Sequence, residues 1–126
     1  MAEIFGLKGE VMSHVASGDL SAAQFRFVNG GGVDVYLTVT TGSPSYGVLQ
    51  NKPRNDEHAS VIRDGATKIG LGSSFGANTW LMNGANGWAT IALSGQVTMG
   101  LLITGATSGG VGQMQLNQAH IYGGNP

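Results

Sequence analysis

The feature that most restricts this chain is its punctuation: apolar residues come in short alternating segments, each interrupted by glycine, asparagine or proline before a helix could be completed. Phe25 and Phe27 share one face of residues 24–28, and Val33, Val35, Leu37 and Val39 alternate with Asp34, Tyr36, Thr38 and Thr40. A period of two puts every second side chain on the same face of a strand, whereas a helix requires a period of 3.6. Between these segments, Asn29-Gly30-Gly31-Gly32 supplies the positive-φ positions of a hairpin turn.

The same grammar continues along the chain. After the turn cluster Thr41-Gly42-Ser43-Pro44, residues 46–50 read as a strand that Pro53 ends, because proline has no N–H to donate to a ladder. Residues 59–63 resume extended structure, and Asp64-Gly65 fits a tight turn into Thr67, Ile69 and Leu71. Residues 79–83 and 87–93 flank Asn83-Gly84-Ala85-Asn86-Gly87, a second hairpin-type loop; 98–104 is a continuous apolar run, and 113–122 a last alternating candidate. Helix is confined to residues 19–24, where Asp19 after Ser17-Gly18 can cap one or two turns. Many short strands with a turn signal every ten residues or so predict an all-β barrel or sandwich. At 126 residues the chain is expected to form a single domain.

Charge is sparse, at 10% of residues against a usual figure of about 25%, and its placement is more informative than its amount. Every Lys, Arg, Asp and Glu lies at or before Lys68, so residues 69–126 carry no charged side chain apart from the ionisable His120. Free surfaces normally carry mixed charges, which maintain solubility and deter edge-to-edge pairing, whereas interface centres exclude ions that would lack a partner. Either this half presents a neutral surface of Ser, Thr, Asn and Gln, or much of it faces another protein; the second reading is preferred.

Chemistry-bearing patterns are weak. Gly70-Leu71-Gly72-Ser73-Ser74-Phe75-Gly76 lacks both the GxGxxG spacing and the Gly-Lys-Ser/Thr of phosphate loops. His14, His58 and His120 are widely separated, and the absence of cysteine excludes thiolate ligands and disulfides, so neither metal nor cofactor is expected. No GxSxG elbow is present, and His58 beside Asp56 and Glu57 is a poor candidate for an acid–base pair. A net charge of −1, with Lys52 and Arg54 offset by Asp56 and Glu57, argues against nucleic acid as a partner. No apolar run approaches the roughly 20 residues of a membrane span, and MAEIFGLKGE has neither part of a cleaved signal.

Three segments, DLSAAQFRFV (residues 19–28), GVLQNKP (47–53) and GATKIGLGSSFGANTWLMNGANGWAT (65–90), occur in an order that resembles the small cement, or decoration, proteins of tailed-bacteriophage capsids. GVLQNKP is the most specific of them, and the tail after Thr104 has no counterpart in the resemblance. The resemblance implies a small β-barrel of β-tulip type and no enzymatic activity. It implies attachment to the outer surface of the mature head, after synthesis in the host cytoplasm, as a homotrimer at three-fold or quasi-three-fold sites. The major capsid protein is then the partner, and residues 50–58 become a solvated connection at a barrel rim.

Within that expectation, residues 1–10 form an extended arm whose Ile4, Phe5 and Leu7 contact the capsid by adding a strand to a neighbour's edge. Trp80, Trp88, Met99, Leu101 and Ile103 are the expected trimer contacts. An alternative of another class is a carbohydrate-binding phage surface protein that attaches to the host, with Trp80, Trp88 and Tyr122 as stacking faces.

Overall fold

A computed structural model describes residues 11–30, 34–37, 41–42, 45–93 and 97–121, with side chains for all of these except 11–13 and 117–121. Ten strands make up two layers, divided in sequence at Asp64-Gly65. The first five are β1 (Val11–Ala16), β2 (Phe27–Asn29), β3 (Asp34–Leu37), β4 (Gly47–Leu49) and β5 (His58–Ile62). They close into a barrel in the order β1-β3-β2-β4-β5, with β5 returning antiparallel to β1 and β3 meeting β1 in parallel. The second five are β6 (Gly65–Gly70), β7 (Trp80–Asn83), β8 (Ala89–Ile91), β9 (Val97–Thr104) and β10 (Val111–Ile121), in the order β6-β10-β9-β7-β8. The edges of this sheet approach one another just beyond β6, where Leu71 bridges Ala89 and the Gly72 N–H donates to the Ala89 carbonyl at 2.8 Å. Joining the edges there hides backbone groups that an open sheet would offer to other chains.

The two layers share side chains from three barrel strands. On β2, β4 and β5, Val28, Leu49 and Val61 point into the barrel with Ala16, Leu20, Ala23, Val35 and Ala59. Their neighbours Phe27, Val48 and Ile62 form one rung and face the other way, into a core with Ile69, Leu71, Leu81, Met99, Leu102, Met114 and Leu116 of the sheet. The adjacent apolar pairs Phe27-Val28, Val48-Leu49 and Val61-Ile62 are therefore strands buried on both faces, the pattern expected of a middle layer.

Most of the expected strands are present, and one local expectation is corrected. Residues 19–24 form successive turns instead of a helix, closed by Ala23 N–H to Leu20 O at 3.0 Å and Arg26 N–H to Ala23 O at 3.1 Å. Phe25 then takes φ 67°, a left-handed conformation that no right-handed helix continues. Among the described residues the helical element is instead a single 3-10 turn, Ala85–Gly87, inside the β7–β8 hairpin. Asp64-Gly65 makes the expected turn into β6, with Gly65 at φ 93°, and it hands the chain from barrel to sheet.

Gly87 couples that hairpin to the barrel. At φ 81°, a Cβ here would lie 2.5 Å from the Phe27 carbonyl and 2.9 Å from Leu37 Cδ1. Gly87→Ala combines left-handed strain with overpacking, and we expect it to cost about 3 kcal/mol. A urea midpoint within experimental error of the parent's would show that this approach is not close.

Candidate functional site

On the face of the sheet turned away from the shared core, register fixes which residues are neighbours. Trp80 lies opposite Leu101, Leu101 opposite Gln115, and Gln115 opposite Ala66. One step along β9, past a bulge, are Ile103 and Thr104, the latter opposite Gln113, which is itself opposite Lys68. Leu101 is half-buried, whereas Ile103 and Val111 keep 47% and 49% of their surface exposed. Ile91 on β8 and Leu93 just beyond it are also exposed. Lys68 on β6 is the last charged residue of the chain, so the sheet beyond β6 has none. Apolar side chains standing half in water, with a single cation at one edge of the face, mark a surface suited to covering by protein.

The expected contact residues separate in space. Trp80, Leu101 and Ile103 share the outer face. Met99 does not reach it: the side chain is 3% exposed and packs in the shared core with Leu102 and Met114. Trp88 serves as a wedge between layers. Its ring approaches Gly70 so closely that a Cβ there would lie 3.0 Å from the ring, and the Arg26 guanidinium lies 4.0 Å from the ring centroid. Ile4, Phe5, Leu7 and Tyr122 fall outside the described residues. Of the saccharide-stacking residues Trp80, Trp88 and Tyr122, the last lies outside the described residues, and the Arg26 guanidinium occupies one face of Trp88.

A cleft of about 360 Å³ opens at the Trp88 wedge, lined by the turn at residues 21–26, Lys52, Gly70, Gly109 and Val111. Phe25 forms part of its wall, and Lys68 Nζ sits 5.6 Å from the Phe25 ring centroid. Burial lowers the Arg26 pKa from its usual range, and desolvation alone is the cause. The cleft joins Arg26 to Trp88, 62 positions away in sequence, a proximity for which no local pattern gave a signal.

Residues 50–58, rich in polar chemistry, turn out to be scaffold. The Asn51 side-chain N–H donates to the His58 carbonyl at 2.9 Å while its Oδ1 accepts from the Ser60 N–H at 3.0 Å, so one amide bridges the two strands below the loop. Gln50 Nε2 donates to Thr67 Oγ1 at 2.9 Å, tying the loop base to the second layer. Pro53 is buried, and its carbonyl accepts from the Leu20 N–H at 2.9 Å. Lys52 and residues 54–58 remain exposed, as a connection at a barrel rim requires. His58 meets Ser60 Oγ at 2.9 Å rather than Asp56 or Glu57. His14 meets the Tyr46 hydroxyl at 2.9 Å, and among the described residues no cluster of three metal-ligating side chains occurs.

No family model matches the chain, and no curated protein matches it. The fold is similar to that of the head fiber gp8.5 N base of bacteriophage phi29, with a TM-score of 0.68 and 13% sequence identity over 86% of this chain and 93% of that chain. At that identity the likeness is one of fold.

Proposed function

We propose that this chain is a non-enzymatic decoration, or cement, protein of a phage head, a trimer that binds the outer surface of the mature shell and stabilises it. The observation that carries the reading is the barrel-plus-sheet architecture shared with a head-fiber base. The outer face of the sheet, which carries no charged residue beyond β6, supports the trimer, with Trp80, Leu101 and Ile103 as its contacts. The dispersal of the histidines and of the polar loop into structural hydrogen bonds supports adhesion over catalysis.

A protein that binds the assembled lattice and not its free subunits stabilises the shell by mass action. Footholds of about millimolar affinity, near 4 kcal/mol each, are sufficient if a rigid trimer presents three together, because tethering multiplies affinity by roughly 10² to 10⁴ when the geometry allows all to engage. Lattice spacing then selects the expanded head over its precursor.

Residues 1–10 are the proposed arm, with Ile4, Phe5 and Leu7 reaching the major capsid protein. Deleting residues 2–7 is expected to abolish cosedimentation with empty heads while leaving native mass at three chains; undiminished cosedimentation rules the arm out. The same two measurements on the intact protein test the whole reading, which a monomer indifferent to heads would refute. A glycan array addresses host attachment, since a decoration protein shows no saccharide preference.

A further inference from the structure

We propose that the cleft beside Trp88 binds an acidic peptide segment, with Arg26 and Lys52 as partners for a Glu or Asp carboxylate. Arg26 is half-buried, and loss of water lowers its pKa, with no carboxylate acting on it. Among the described residues neither Arg26 nor Lys52 forms an ion pair, and no Asp or Glu lines the cleft. Asp19, two residues before the lining begins, is already occupied: its Oδ1 accepts from the Ser21 N–H at 3.0 Å, and the cation acting on it is Arg54. Stacking on Trp88 occupies the face of the guanidinium and leaves its planar fork of N–H donors for a carboxylate, which that fork fits in bidentate fashion. Lys68 over Phe25 adds a third positive charge at the rim.

The size and walls of the cleft fit the same ligand. A volume of about 360 Å³ lies at the lower end of ligand clefts, which run from about 300 to 1,000 Å³. Phe25, Trp88 and Val111 provide apolar contact for the rest of a peptide. Nucleic acid is disfavoured because its affinity depends on neutralising a run of phosphates, and the sheet beyond β6 carries no further cation. On the decoration reading the segment belongs to the shell protein; only that identification, not the site, rests on it.

The test titrates the purified full chain with a blocked peptide of alternating Glu and Gly, observing the Trp88 indole N–H by NMR at low salt. Its Gln counterpart, inorganic phosphate and oligothymidylate form parallel arms. Expected results are a Trp88 shift with the Glu peptide, binding at least tenfold weaker for the Gln peptide, about tenfold weaker for Arg26→Gln and about threefold weaker for the exposed Lys52→Gln. No shift, equal binding of the Gln peptide, undiminished binding by the Lys52 variant, or tighter binding of phosphate or oligothymidylate overturns the site. Cosedimentation of the Arg26→Gln protein with heads is read separately: reduced binding supports the shell as the source, and undiminished binding overturns that source.

Discussion

Replacing Ile103 with aspartate is expected to leave a folded monomer in place of the proposed trimer. The side chain is 47% exposed and projects from the outer face of β9, so the monomer gives up little packing and its melting temperature should hardly move. In a closed trimer the substitution acts three times, once at each symmetry-related contact. A carboxylate enclosed without a partner costs roughly 3–5 kcal/mol when no cation meets it, and the sheet beyond β6 has none to offer. Sedimentation equilibrium at micromolar concentration gives the answer. A variant that stays trimeric would place the subunit contact elsewhere, and the open apolar residues Ile91 and Leu93 would be the next face to examine.

Phe27→Ala should be the most damaging single truncation, with a cost of about 3–5 kcal/mol. Phe27 is fully buried and, in one rung with Val48 and Ile62, fills the space between barrel and sheet. That cost is a large share of the roughly 5–15 kcal/mol that holds a domain of this size together. Because the side chain belongs to both layers, the urea midpoint should fall with one transition and an unchanged slope whether unfolding is followed by tryptophan emission or far-ultraviolet dichroism. Separate transitions would mean that the layers fold independently.

Local pattern made the strands legible and tertiary placement hid the rest. Both hairpins follow from Asn-Gly punctuation: β2 pairs with β3 through Asn29↔Tyr36, and β7 with β8 through Asn83↔Ala89. The double apolar pairs at Phe27-Val28, Val48-Leu49 and Val61-Ile62 already contained the middle layer, since a strand wetted on one side would alternate. Period alone could not tell that β5 and β6, separated only by Arg63 and Asp64, belong to different sheets; the Asp64-Gly65 turn looks the same in either topology. Residues 19–24 misled because a capping aspartate also closes a non-helical turn, here through the Ser21 N–H. The charge boundary at Lys68 is visible in sequence, but that it falls on β6, just inside the second sheet, needs coordinates. The sequence marks Trp88 as a core or subunit-interface anchor without saying which, and Gly70 and Arg26 pack against it within the chain. Met99 was assigned by its place in an apolar run, and such a run does not state which of its members face inward.

The division of the layers in sequence has a consequence for biosynthesis. The barrel closes when β5 meets β1, a pairing such as Val11↔Ile62 that spans almost the whole first half, and long loop closures of this kind are slow. Every strand of the barrel nonetheless emerges from the ribosome before any strand of the sheet does. During that interval the nascent barrel presents Phe27, Val48 and Ile62 to water, a greasy lid awaiting its second half. A nascent chain arrested when residue 64 has just cleared the exit tunnel should therefore display a species that chaperones hold avidly, and one arrested when residue 121 has cleared it should not.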